Sequence, residues 1–114
     1  MGPLDEMAEA AWARILPFLR PIEPLILDPE ISDIMINGER AVFFEKYGLI
    51  QSAAGVTIPE RSLQVAARNI ARALGDEVSE EKPILDSRLP EGSRVAIVLA
   101  PVSVGGTTVS IRKF

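Results

Sequence analysis

Cysteine and histidine are both absent from this chain of 114 residues. Without cysteine there is no disulfide, no thiolate nucleophile and no sulfur ligand for a metal, which suits a reducing compartment such as the cytosol. Without histidine the commonest general base and metal ligand is missing, so a nucleophile would lack its usual activating partner. No apolar run approaches the roughly 20 residues that a membrane-spanning helix needs, and no signal-peptide pattern opens the chain. A phosphate-cradling G-x-x-x-x-G-K-[ST] loop is absent too; Gly105-Gly106 has neither the lysine nor the spacing. Nor is there a G-x-S-x-G elbow. Asp86 and Glu91 flank a turn with no sign of burial, which is a poor setting for acid–base work. These gaps argue against a self-contained enzyme.

What is present is ordinary for a single globular domain: 47% hydrophobic residues, 25% charged and 5% aromatic. The formal net charge of −4 argues against non-specific binding to nucleic acid or to an anionic membrane. A nucleic-acid module is weakened further because no aromatics interleave with basic residues. The charge is uneven, however. Residues 1–83 hold 8 basic against 14 acidic residues, while 84–114 hold 4 against 2. An anionic ligand is therefore expected at the C-terminal third.

Apolar periodicity predicts an amphipathic helix over 5–19, with Asp5 as N-cap and Met7, Ala8, Ala11, Trp12, Ile15 and Leu19 on one face. Pro17 should stop or kink it near Leu16, since proline removes a helical hydrogen bond. Pro21, Pro24 and Pro29 mark 21–31 as a connector with one short extended run, a hinge on which helix 1–20 can move. From 32 the pattern alternates: Ile34 and Ile36 against Asp33, Met35 and Asn37. Asn37-Gly38 signals a hairpin, Val42 and Phe44 share a face of the return strand, and Gly48 turns the chain into a third strand near 49–51.

Thr57-Ile58-Pro59-Glu60 reads as a capping box. The helix it opens buries Leu63, Ala66, Ala67, Ile70, Ala71 and Leu74, shows Arg61, Arg68 and Arg72 to solvent, and ends at Gly75. Two or three strands follow, with turns at Pro90-Glu91-Gly92 and in "PVSVGG". The predicted fold is α+β: N-terminal helix, antiparallel meander, central amphipathic helix and C-terminal antiparallel strands, with the helices packed on the sheet.

Arg88 and Arg94 flank the 90–92 turn, and Arg112 shares a polar strand face with Thr108 and Ser110. A guanidinium is permanently charged and forked, a match for phosphate oxygens. The alternative is a local one: Arg88 paired with Asp86 or Glu91, and Arg94 a surface residue.

"DPEISDIMINGERAVFFEKYGLIQ", the arginine-bearing helix, "PILDSRLPEGSRV" and the closing "SIRKF" together resemble the N-terminal domain of the type II/IV secretion ATPases. The motifs look closest to the branch of the tight-adherence (Flp) pilus assembly motors. The resemblance covers about residues 22–114, with Glu91 where relatives usually carry Asp. It implies a hexameric, cytoplasmic motor for pilus assembly, protein secretion or conjugation, lying at the inner membrane through platform proteins. In such motors an N-terminal domain closes over ATP and Mg²⁺ held by a RecA-like domain and supplies arginine fingers to the phosphates. By motif position Arg94, Arg112 and Arg88 are those arginines; no catalytic residue and no metal ligand falls in this chain. The resemblance implies that 32–114 is this α+β domain, that the RecA-like domain is absent, and that the chain alone hydrolyses no ATP. A free-standing adaptor that binds proteins through its sheet, with no nucleotide role, is the alternative.

Overall fold

The structure is a computed structural model that describes residues 10, 12–39, 41–90 and 92–113. The Asp5 cap and the first residues of the predicted helix lie outside these. Residues 12–15 are helical, and the chain then tightens into 3₁₀ turns at Leu16–Phe18 and Arg20–Ile22, as expected from Pro17. The expected extended run is instead a short helix, α1 (Glu23–Leu27). The reason is positional: Pro24 falls in its first turn, where a missing N–H costs nothing and the fixed φ favours helix. Ile15, Leu19, Ile22 and Ile26 are all buried in the same core as the sheet.

Six strands form one sheet: β1 (Ile31–Asn37), β2 (Val42–Lys46), β3 (Leu49–Ser52), β4 (Ile84–Arg88), β5 (Arg94–Val98) and β6 (Thr108–Arg112). The spatial order is β3-β2-β1-β6-β5-β4, and every pairing is antiparallel. Two three-stranded meanders are thus joined through β1 and β6. Their free ends, β3 and β4, are opposite edges, and the chain between them holds α2 (Glu60–Ala73). Fourteen helical residues span about 21 Å, close to the roughly 24 Å across six strands.

The helix buries Leu63, Ala66, Ala67, Ile70 and Ala71, three of them alanines that let helix and sheet approach closely. They share one core with Ile34 and Ile36, Val42, Leu85, Val95 and Ile97, and Val109 and Ile111. The period-2 pattern then points Asp33, Met35, Asp86, Arg88, Arg94, Ser110 and Arg112 to the opposite face. A register shift between Ile31 and Asp33 lets Ile31 stay buried while Asp33 faces outward.

Two local expectations change. The predicted capping box does not form: the N-cap is Pro59, with no side-chain cap bond. Ile58 precedes a proline, a position that disfavours helical backbone, so the helix starts at Glu60. The Glu60 carboxylate turns instead to Thr107, accepting its backbone N–H at 2.7 Å and its hydroxyl at 2.5 Å. The link between β1 and β2 is also longer than a two-residue turn, closing with Asn37 N–H on the Ala41 carbonyl at 2.8 Å. Gly38, at φ +86°, packs on the 101–106 loop so closely that a Cβ there would stand 2.5 Å from the Gly105 carbonyl oxygen. The expected end of α2 does form: Gly75 takes φ +76°, and the Asp76 N–H reaches the Ala71 carbonyl at 2.8 Å.

Candidate functional site

The antiparallel registers set the three singled-out arginines in one row. Arg88 stands directly opposite Arg94, and Arg94 directly opposite Arg112. Cβ atoms of such partners are about 5 Å apart, and like charges in these positions destabilise a sheet. The row continues onto β1, where Asp33 faces Arg112, and onto β2, where Glu45 faces Asp33. This row is therefore cationic over β4, β5 and β6, and anionic over β1 and β2.

Two carboxylates answer the three guanidinium groups. Arg94 Nη2 donates to Asp86 Oδ2 at 2.8 Å, and Arg112 Nε donates to Asp33 Oδ1 at 2.9 Å. Arg88 makes no ion pair among the described residues. The two pairs differ in setting. Asp86 is 57% exposed beside an Arg94 that is 48% exposed, whereas Asp33 is only 18% exposed beneath an Arg112 that is 73% exposed. Burial alone would raise the Asp33 carboxyl; hydrogen bonds from Arg112 and Ser32 outweigh it and hold the group below its ordinary 3.8. Asp33 in turn pushes the Arg112 guanidinium up.

The pairs border a shallow groove of about 280 Å³. Met35, Ala96 and Ser110 help to line it, so the charged groups stand on a floor of mostly small or apolar side chains. Among the described residues no cluster of acidic side chains has the make-up of a metal site.

The sequence brings Arg88 and Arg94 together at the 90–92 turn and joins Arg112 to them only through the family resemblance. It offers Asp86 as a partner of Arg88 and gives no sign of Asp33. Asp86 pairs with Arg94, not with Arg88, because Arg88 and Arg94 oppose each other and leave Asp86 diagonal to Arg94. The signal that could have found it is the period-2 alternation of β4, which puts Asp86 and Arg88 on one face. Asp33 had no local signal, since it is 79 residues from Arg112 and meets it only through the β1–β6 pairing. Arg61, Arg68 and Arg72 stay on the exposed side of α2, away from the row. No helix among the described residues is long and apolar enough to cross a membrane.

No family model matches the chain. Individual relatives do. Over 110 residues it is 31% identical to the type IV secretion system protein VirB11 of Brucella suis biovar 1 (strain 1330), a match covering 96% of this chain and 30% of that protein. It is 33% identical over 86 residues to the conjugal transfer protein TrbB of Rhizobium radiobacter, covering 75% of this chain and 26% of TrbB. The chain thus spans under a third of the length of these curated relatives. Among solved structures, the VirB11 ATPase of the Brucella suis type IV secretion system, in complex with sulphate, superposes with a TM-score of 0.77 at 28% identity, covering 89% of this chain and 32% of that one. These relatives carry type IV secretion and conjugation names, so the tight-adherence branch rests on the motifs alone. The agreement of motif order, sheet and relatives makes the chain a member of the type II/IV secretion ATPase family, with the fold of its N-terminal domain.

Proposed function

We propose that this chain is the regulatory, ring-forming domain of a hexameric secretion motor and that Arg94 and Arg112, with Arg88 at the end of the row, face the phosphates of ATP. The observation that carries this reading is the arginine row itself. Three permanently charged forks are held side by side on an open sheet face, an arrangement that costs stability until an anion arrives. Of the two ion pairs that temper it, Arg94–Asp86 is exposed on both sides, and pairs of that kind contribute only about 0–1 kcal/mol, so an oxyanion displaces it readily. The solved Brucella relative was crystallised in complex with sulphate, an oxyanion shaped like a phosphate group.

In this reading ATP and Mg²⁺ are bound by a RecA-like motor domain in the full-length protein, and this chain alone neither binds ATP tightly nor hydrolyses it. The sheet face closes on the nucleotide as a rigid body and opens as the phosphate leaves. An arginine at the γ-phosphate stabilises the charge that develops there during phosphoryl transfer. The partners are the chain's own motor domain, neighbouring subunits of a hexamer and platform proteins of the inner membrane, at whose cytoplasmic side the motor works. In the full-length motor, Arg94→Ala and Arg112→Ala are expected to lower ATP turnover far more than tenfold, by the scale of other arginine fingers. Unchanged turnover in both variants would return the row to a purely structural role.

A further inference from the structure

The two carboxylates of the arginine row engage their partners by different atoms, and this assigns them opposite effects. Asp86 holds Arg94 by Nη2, a terminal nitrogen of the fork. That is the outer end of the guanidinium, open to an incoming phosphate oxygen, so Asp86 competes with the anion for it. Asp33 holds Arg112 by Nε, the nitrogen nearest the stem. Neither Nη group of Arg112 makes a hydrogen bond among the described residues, and the side chain is 73% exposed. We propose that Asp86 is a resident competitor that lowers the row's affinity for phosphate, whereas Asp33 is a positioning residue that raises it by aiming Arg112.

The settings agree with these roles. Asp86 is more than half exposed and is tied into the row by the Arg94 contact alone among the described bonds, so it swings away at little cost. Asp33 is 18% exposed and is held by the Arg112 guanidinium that faces it across the β1–β6 pairing. Its carboxylate stops Arg112 from sampling the many rotamers that an exposed arginine otherwise visits, and ordering such a side chain before the ligand arrives lowers the cost of binding. A phosphate arriving at the row then exchanges one bond at Arg94, from Asp86 to its own oxygen, and adds bonds at Arg112 without breaking any.

The inference rests on the phosphate-facing reading above, and one experiment separates the two. Binding of inorganic tripolyphosphate to the chain is measured by calorimetry at low salt for the parent, Asp86→Asn, Asp33→Asn, Arg94→Ala and Arg112→Ala, with circular dichroism checking that each variant is folded. Both asparagine variants remove one negative charge, so their long-range fields change equally and cannot account for opposite outcomes. Asp86→Asn is expected to tighten binding about three- to fivefold and Asp33→Asn to weaken it by a similar factor, the size an exposed ion pair carries. Arg94→Ala added to Asp86→Asn should abolish the gain, and Asp33→Glu, which keeps a carboxylate, should recover part of the loss. If both asparagine variants shift affinity the same way while the alanine variants still weaken binding, the division of roles is wrong and the phosphate-facing row stands. If the parent and all variants show not even weak binding at low salt, or the alanine variants bind as the parent does, the row itself is not a phosphate site and both proposals fall.

Discussion

Arg94 and Arg112 are direct cross-strand neighbours in the β5–β6 ladder, and Arg88 lies on the other side of Arg94. Three like charges in one row weaken the sheet that carries them, by about 0.2–1 kcal/mol for each opposed pair. Arg88 makes no compensating ion pair among the described residues. Arg88→Thr, which keeps a good strand former, should therefore raise the melting temperature by about 1–3 °C while weakening tripolyphosphate binding. A fall in melting temperature would show that Arg88 contributes to folding.

The contact between Glu60 and Thr107 joins the start of α2 to the end of the 101–106 loop. Glu60 accepts from the Thr107 N–H, from its hydroxyl and from Gln64 Nε2, and Thr107 is fully buried. Thr107→Val keeps the shape and removes the hydroxyl, leaving the carboxylate one donor short and the Ala100 N–H without its acceptor at 3.1 Å. The expected loss is about 1–3 kcal/mol in urea unfolding, with the slope m unchanged. A loss below 0.5 kcal/mol, as an approximate threshold, would mean that water replaces the hydroxyl.

The same contact predicts an acid limb. Burial alone would raise the Glu60 carboxyl, but the Thr107 hydroxyl and N–H and Gln64 bring it below its ordinary 4.5. A carboxyl depressed on folding contributes stability that is fully present above its unfolded value and is lost as pH falls through the folded one. Stability should therefore be flat in this respect near pH 7 and decline below 4.5, and Glu60→Gln should flatten that decline. Parallel acid limbs in the parent and in Glu60→Gln would contradict the assignment.

Gly38 and Gly48 both take positive φ, +86° and +77°, but only Gly38 is crowded. A Cβ at Gly38 would meet the Gly105 carbonyl oxygen at 2.5 Å, whereas nothing lies within 4 Å of one at Gly48. Gly48→Ala should cost about 1 kcal/mol, the left-handed backbone alone, and Gly38→Ala clearly more. Equal losses would mean that the two loops move apart at no cost.

Much of the fold was legible because local rules and burial agree. The alternation of Ile34 and Ile36 with Asp33 and Met35, the alanine-rich face of α2 and the Gly75 stop all appear where pattern and turn chemistry placed them. The misses fall where a non-local contact outweighs a local signal. Glu60 left its capping box for Thr107, 47 residues on, and the hairpin expected at Asn37-Gly38 forms through a longer loop in which Gly38 packs on the 101–106 loop. The arginines of the row could be found from strand period and turn position. Asp33 could not, because it reaches Arg112 only through the pairing of β1 with β6.

The most direct measurement is a structure of the full-length motor with a non-hydrolysable ATP analogue bound. The account predicts Arg94 Nη2 and the Arg112 fork within about 3.2 Å of phosphate oxygens, with Asp86 released and Asp33 still on Arg112 Nε. Phosphates bound elsewhere, with Arg94 still on Asp86 and the outer sheet face turned to solvent, would contradict it.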